Sequence, residues 1–244
     1  MRNLKCTVAY DGTNYHGFQR QNNAVTIQGE IEKALQKLIK KEVKIIGASR
    51  TDAKVHAKGQ VFNCKVKSSI PTERFALALN TKLPADIVIT DAHEVSPKFH
   101  ARYDTTGKLY HYQIYNKKFP SPFLRNYTYH INHKLNLEAM KEGAQYLVGE
   151  YDFSSFRAAG CSAKSPVRQI YSLEIDITDH LITIAIKGSG FLYNMIRIIV
   201  GTLVEVAIGK QEPDWVKKVL LAKNRKLAGS TAPACGLSLT KVNY

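Results

Sequence analysis

The chain has 244 residues, 44% of them hydrophobic and 23% charged, which excludes a disordered protein and is enough to bury a sizeable core. Lys and Arg number 35 and Asp and Glu 20, giving a formal net charge of +15. This excess indicates a nucleic-acid partner, because each cation that neutralises a phosphate releases a counterion. General solubility, or a source with Lys-rich proteins, is the alternative.

The cysteines and the apolar stretches exclude several other classes of protein. The four cysteines, Cys6, Cys64, Cys161 and Cys235, are too widely spaced for a zinc finger or a disulfide framework, so we expect a reducing cytoplasm. Residues 1–10 alternate and do not form the apolar run of a signal peptide. The longest apolar stretch, 191–208, contains Arg197 and Glu205, so it is predicted as a buried helix and not as a membrane span.

The first part of the chain predicts the order strand, helix, strand, strand, helix, strand, which resembles a split βαβ arrangement. Apolar residues recur every three or four positions after Thr26, which is a suitable helix cap. A polar segment at 49–59 separates the second and third strands. The predicted strands are 4–10, 43–48, 60–66 and 87–92, and the predicted helices are 26–40 and 71–79.

The second part predicts a strand, a helix, a hairpin and two further helices before a last strand. The hairpin turns at residues 178–180, and its presence favours antiparallel pairing. The predicted strands are 108–115, 167–177, 181–187 and 237–242, and the predicted helices are 137–147, 191–208 and 214–222. We therefore predict an α+β fold with two similar lobes, 1–104 and 105–244, of largely antiparallel sheet. Helices are expected on one face, with an active-site cleft between the lobes.

Two features suggest chemistry. The loop around Asp52 places an acid, two bases, a hydroxyl and an imidazole between two strands, although a polar turn in which Asp52 bonds its own backbone is the alternative. Arg197 lies in an otherwise apolar helix and needs an acceptor or an outlet to solvent. Asp52 is the candidate acceptor, since a neighbouring guanidinium would keep that carboxylate ionised.

Aromatic and basic side chains suggest contact with RNA. Tyr103, Tyr110 and Tyr112 could form a wall for an extruded base, with packing in the core as the alternative. The histidines are too scattered to predict a metal site. Basic residues near these segments are Arg20, Arg50, Lys54, Lys58, Arg102, Lys108 and Arg157.

The segment 49–57, Ser-Arg-Thr-Asp-Ala-Lys-Val-His-Ala, resembles the catalytic motif of the tRNA pseudouridine synthase A family. Other segments similar to that family occur in the family's order and cover nearly the whole chain. They are 9–13, 15–19, 99–102, 110–112, 152–156, 190–197 and 232–237. Two positions depart from the family, which usually has Gly where this chain has Ser49 and Lys54. If these positions require a positive φ, the loop must be shaped differently here.

The resemblance implies conversion of uridine to pseudouridine in the tRNA anticodon stem-loop, at positions thirty-eight to forty. It also implies a cytoplasmic homodimer with no cofactor and no metal. Asp52 matches the family's catalytic aspartate, Tyr110 its active-site tyrosine and Arg197 the arginine that pairs with the aspartate, while Arg50 matches a residue that helps to flip the base.

Three other functions remain open at this point. A non-catalytic RNA-binding or RNA assembly module would explain the charge but would leave Asp52 without a role. A metal-dependent nuclease would need clustered carboxylates, and the Asp52 segment offers one. A synthase of the same family could act on another RNA.

Overall fold

The computed structural model describes residues 1–244 and divides into two compact units. Unit 1 comprises Met1–Thr106 with Ser238–Tyr244, and unit 2 comprises Gly107–Leu237. In chain order the strands and α-helices are β1 (Arg2–Tyr10), α1 (Ile27–Ile39), β2 (Ile45–Gly47), β3 (His56–Val66), α2 (Thr72–Asn80), β4 (Ile87–Val95), β5 (Gly107–Asn116), β6 (Tyr129–Ile131), α3 (Leu137–Gln145), β7 (Gly149–Asp152), β8 (Val167–Thr178), β9 (Leu181–Gly188), α4 (Met195–Ala207), α5 (Trp215–Ala222) and β10 (Leu237–Asn243).

The sheet of unit 1 has the strand order β4-β1-β3-β10, with β2 paired to β3. β1 runs antiparallel to both β3 and β4, and every second residue of β1 from Leu4 to Tyr10 is buried, as the alternation predicted. α1 begins after Thr26, whose side chain accepts a hydrogen bond from the backbone N–H of Gly29. The apolar face of α1 is fully buried at Ile27, Ile31 and Leu35.

Among the boundaries in unit 1 that differ from the sequence prediction, two depend on strand pairing. β3 begins at His56 and not at residue 60, because Tyr10 pairs with Ala57 and β10 pairs in parallel with His56 and Ala57. The last residues, Ser238–Tyr244, were assigned to the second lobe but lie in unit 1. The partner strand determines both boundaries, and the hydrophobic pattern of a single segment does not reveal which strand that partner is.

The sheet of unit 2 has the order β5-β9-β8-β7, with β6 paired in parallel to β5. The predicted hairpin is β8–β9, and Asp179 in its turn has a φ of 54°. α4 begins at Met195, four residues later than predicted, because Asn194 adopts a left-handed conformation with a φ of 58° that does not continue a right-handed helix. The short strands β6 and β7 were not predicted.

The predicted α+β class with largely antiparallel pairing is confirmed. Parallel pairs include β3–β10 and β5–β6. No helix has the combination of length and apolar character that crossing a membrane requires.

Candidate active site

The loop that carries Asp52, residues 48–55, connects β2 to β3 in unit 1 and is here called the Asp52 loop. Its first residues are held by the buried side chain of Gln60. The Oε1 atom of Gln60 accepts from the backbone N–H of Ser49 at 3.2 Å, and its Nε2 donates to the Ser49 carbonyl at 2.8 Å. The N–H of Ala48 donates to the Val61 carbonyl at 2.8 Å. The loop therefore leaves the sheet from a fixed starting point.

The segment that follows β1 holds the middle of the Asp52 loop. The hydroxyl groups of Tyr10 and Thr51 share a hydrogen bond of 2.7 Å, and Thr51 is buried. The Thr51 carbonyl accepts from the N–H of Phe18 at 3.0 Å, and the N–H of Lys54 donates to the Tyr15 carbonyl at 3.1 Å. The backbone is thus anchored on both sides of Asp52.

Two glycines allow this close approach. A Cβ on Gly12 would lie 2.1 Å from the Val55 carbonyl oxygen, and one on Gly17 would lie 2.7 Å from that of Thr51. Gly17 also has a φ of +91°. These glycines allow the segments 9–13 and 15–19 to pack directly against the 49–57 motif.

Of the two departures from the family pattern, Lys54 is the one with a positive φ, at 64°. The loop keeps the left-handed conformation that a glycine would adopt without cost, and an exposed lysine occupies it. Left-handed backbone costs a residue with a Cβ about 1–2 kcal/mol. Ser49 is not among the residues with positive φ, so its side chain is accommodated without that cost.

His56 anchors the end of the loop, a role that we did not predict. Its ring is buried, and its Nδ1 lies 3.0 Å from the backbone nitrogen of Gly12 and 3.1 Å from Oδ1 of Asp11. An unprotonated Nδ1 accepts from Gly12, whereas a protonated Nδ1 donates to Asp11, so one protonation state cannot make both bonds. Asp11 Oδ1 also accepts from the backbone N–H of Thr13 at 2.9 Å. The sequence carried no local signal for this contact, because His56 and Gly12 lie 44 residues apart.

Asp52 itself is half-buried, and Arg50 is exposed two residues earlier. The N–H of Val55 donates to the Asp52 carbonyl at 3.2 Å, which closes a turn directly after the carboxylate. The loop therefore presents an acid and a guanidinium on either side of the buried Thr51.

In unit 2, the first turn of α4 carries Arg197, whose half-buried side chain has two neutral acceptors. Its Nε donates to the Ala232 carbonyl at 2.7 Å, and its Nη1 donates to Oδ1 of Asn194 at 2.8 Å. The N–H of Ala232 donates in return to the Arg197 carbonyl at 3.0 Å. These bonds fix the direction of the guanidinium while leaving its positive charge uncompensated by these two partners.

The two strand tyrosines of β5 are buried. Tyr110 packs edge-on against Phe191, with ring centroids 5.4 Å apart. Tyr112 is fully buried and its hydroxyl donates to the Pro233 carbonyl at 2.8 Å. Burial raises the pKa of Tyr112 far above its usual value, so this hydroxyl remains protonated. Tyr112 therefore has a role in packing, the alternative considered from the sequence.

The segment 232–237 links these residues. Ala232 bonds Arg197, Pro233 bonds Tyr112, and a Cβ on Gly236 would lie 2.7 Å from the Tyr112 ring. The predicted site residues thus fall into two groups: Asp52 and Arg50 in unit 1, and Tyr110 and Arg197 in unit 2. No group of three or more His, Cys, Asp or Glu side chains is arranged to hold a metal ion.

The amino-acid sequence of this chain is similar to those of several named proteins. A sequence model of the family described as tRNA pseudouridine synthase matches residues 7–104 and 144–244. A protein of Acetivibrio thermocellus named tRNA pseudouridine synthase A is 52% identical over 244 residues, covering 100% of both chains. Its namesake from Thermoanaerobacter sp. strain X514 is 51% identical over the same full coverage.

Among solved structures, a chain of a Cbf5-Nop10-Gar1 complex aligns with 96% of this chain and 57% of its own length, at 11% identity. Its TM-score of 0.38 is too low to bear on function. The sequence matches confirm the family and the enzyme class that the motifs predicted. The chain belongs to the tRNA pseudouridine synthase family.

Proposed function

We propose that this chain converts uridine to pseudouridine in the anticodon stem-loop of tRNA, at positions thirty-eight to forty, and that Asp52 is its catalytic carboxylate. The observation that supports this most directly is the Asp52 loop. Its backbone is anchored at Ser49, Thr51 and Lys54, while Asp52 and Arg50 keep side chains that reach solvent. A fixed backbone with an accessible acid is what a preorganised catalytic group requires.

The reaction needs no net oxidation or reduction. The bond between C1′ of the ribose and N1 of the base breaks, the base turns, and C1′ bonds to C5. The proton on C5 is lost and N1 gains one, so the product is an isomer of the substrate. An ionised aspartate can act in this sequence as a nucleophile or as the base that removes the C5 proton.

The remaining predicted site residues have distinct roles in this proposal. Arg197 stabilises the ionised form of Asp52, because a guanidinium close to a carboxylate favours its charged state. The fixed direction of the Arg197 side chain, set by Ala232 and Asn194, suits this role. Tyr110 packs against the extruded base, and the exposed Arg50 takes the place of that base in the RNA stack.

The partner is tRNA, and the protein acts as a cytoplasmic homodimer. The net charge of +15 supports a polyanionic partner. The four cysteines are widely spaced in the sequence, which favours a reducing compartment over a disulfide framework. Analytical ultracentrifugation over a range of concentrations tests the dimer, and a single species with the mass of one chain would contradict it.

The test is conversion of uridine in anticodon-arm tRNA by purified protein without added metal. Asp52→Asn removes the charge and keeps the size of the side chain, and we expect it to lower the rate by at least about 10²–10⁴-fold. tRNA affinity should remain within about twofold, because the substitution removes no cation that could neutralise a phosphate. Glu42→Gln, which removes an exposed carboxylate elsewhere in unit 1, is the matched control.

Each other outcome identifies a different function. Conversion that survives in Asp52→Asn refutes the catalytic assignment. Tight tRNA binding without conversion by the unaltered protein indicates an RNA-binding module, and strand scission that needs Mg²⁺ indicates a nuclease. Conversion confined to uridines outside the anticodon arm would retain the enzyme class and refute the proposed target.

A further inference from the structure

We propose that Tyr103 in unit 1 is a stacking platform for an unpaired base of the RNA substrate. The inference rests on the proposed function, because it names a second place at which the same RNA would be held. Tyr103 is 75% exposed, although it lies in a turn that is held by several hydrogen bonds. The turn that carries it, residues 99–104, is here called the Tyr103 turn.

The ring of Tyr103 has a defined orientation. It stacks on the ring of His100, with centroids 4.2 Å apart and planes 26° from parallel. The guanidinium carbon of Arg102 lies 5.9 Å from the Tyr103 ring centroid. Most of the tyrosine still faces solvent, so a further planar group can extend this stack.

Hydrogen bonds hold the Tyr103 turn rigid. The N–H groups of Tyr103 and Asp104 donate to the His100 carbonyl, each at 3.1 Å, and Asp104 Oδ2 accepts from the His100 N–H at 2.9 Å. The N–H of Ala101 donates at 2.9 Å to the buried side chain of Asn63 on β3. Binding to Tyr103 therefore would not require ordering of the loop, which is a main cost of association.

The charges around the Tyr103 turn favour RNA over a protein partner. Arg102 is exposed beside the Tyr103 ring, and Lys5 lies 5.0 Å from the ring centroid of Tyr244. The hydroxyl of Tyr244 donates to the Ala101 carbonyl, which brings this cation close to the turn. An aromatic face beside cations is the arrangement used to stack a base while its phosphates are neutralised. A second copy of this chain would bring like charges together.

The experiment measures the affinity for labelled anticodon-arm RNA by fluorescence anisotropy, using protein with Asp52→Asn, in which conversion is expected to be slow. In this background Tyr103→Ala should weaken binding about 5- to 100-fold, as expected for one stacked base, while Tyr103→Phe should stay within about twofold. Leu77→Ala, which removes a side chain that is 70% exposed on α2, is the matched control and should bind as the parent does. The salt dependence of log Kd should keep its slope, because no phosphate contact is lost.

Several results would overturn the proposed stacking role of Tyr103. Equal affinities for Tyr103→Ala and Leu77→Ala exclude stacking, as does a Tyr103→Phe variant as weak as Tyr103→Ala. A changed slope with salt shows a charge contact, and a change of sedimentation coefficient on Tyr103→Ala shows that a second copy covers the ring. Because anisotropy reports bound RNA whether or not it is converted, the Tyr103 effect can hold while the assignment of Asp52 fails, and the reverse is also true.

Discussion

Replacement of Lys54 by glycine should stabilise the protein. The Lys54 backbone has a φ of 64°, and its side chain is exposed, so truncation removes little packing. Relief of the left-handed strain contributes about 1–2 kcal/mol, and the greater freedom of glycine in the unfolded chain costs about 0.5–1 kcal/mol. The difference between these two effects is about 0–1.5 kcal/mol, so the free energy of unfolding should rise by about 0.7 kcal/mol. The hydrogen bond from the N–H of residue 54 to the Tyr15 carbonyl does not depend on the side chain and should persist.

Urea unfolding followed by far-ultraviolet circular dichroism measures this change, and the melting temperature should rise by about 2–4 °C per kcal/mol for a chain of this size. Lys67→Gly is the matched control, because Lys67 is exposed in a loop of unit 1 and does not have a positive φ. It should destabilise by about 0.5–1 kcal/mol. If Lys54→Gly and Lys67→Gly lower the stability equally, residue 54 carries no strain and the reasoning is wrong.

Two further predictions concern other groups. Arg197→Lys replaces a guanidinium, which donates from several nitrogens, by a single ammonium group, so one of the hydrogen bonds to Ala232 and Asn194 should be lost. The free energy of unfolding should fall by about 1–3 kcal/mol. Urea titration measures this change, and an unchanged midpoint would contradict the prediction. Stability should also fall as pH rises above about 10. Burial and the hydrogen bond to Asp86 raise the pKa of Tyr15 in the folded state, so the phenol of the unfolded chain ionises first and the unfolded state is favoured. Tyr15→Phe should flatten this decline, and an identical alkaline profile for the variant would exclude Tyr15 as its source.

The sequence predicted the elements that are specified locally. α1 was found almost to the residue because its apolar spacing and its Thr26 cap both lie within one segment. The β8–β9 hairpin was found for the same reason, since both strands and the turn are contiguous. The start of α4 was placed four residues too early. The left-handed φ of Asn194 prevents the helix from beginning before Met195, and the hydrophobic pattern carries no information about that angle.

The sequence offered candidate site residues but not the contacts that hold them in place. The acid and its flanking Arg50 are recognisable because their chemistry is written in one short motif. The brace formed by Asp11, Gly12 and His56 depends on contacts between segments about 44 residues apart, so spacing alone could not reveal it. The same applies to the Arg197–Ala232 bond, which joins positions 35 residues apart.

The pairing of β10 with β3 has a consequence for how the protein is made. Unit 2 is one continuous stretch, Gly107–Leu237, whereas unit 1 needs Ser238–Tyr244 to complete its sheet. During translation, one edge of β3 lacks its partner β10 until all of unit 2 has left the ribosome. Unit 1, which carries Asp52, contains both the first and the last residues to be synthesised. A nascent chain therefore cannot complete the sheet of unit 1 until synthesis has passed residue 238.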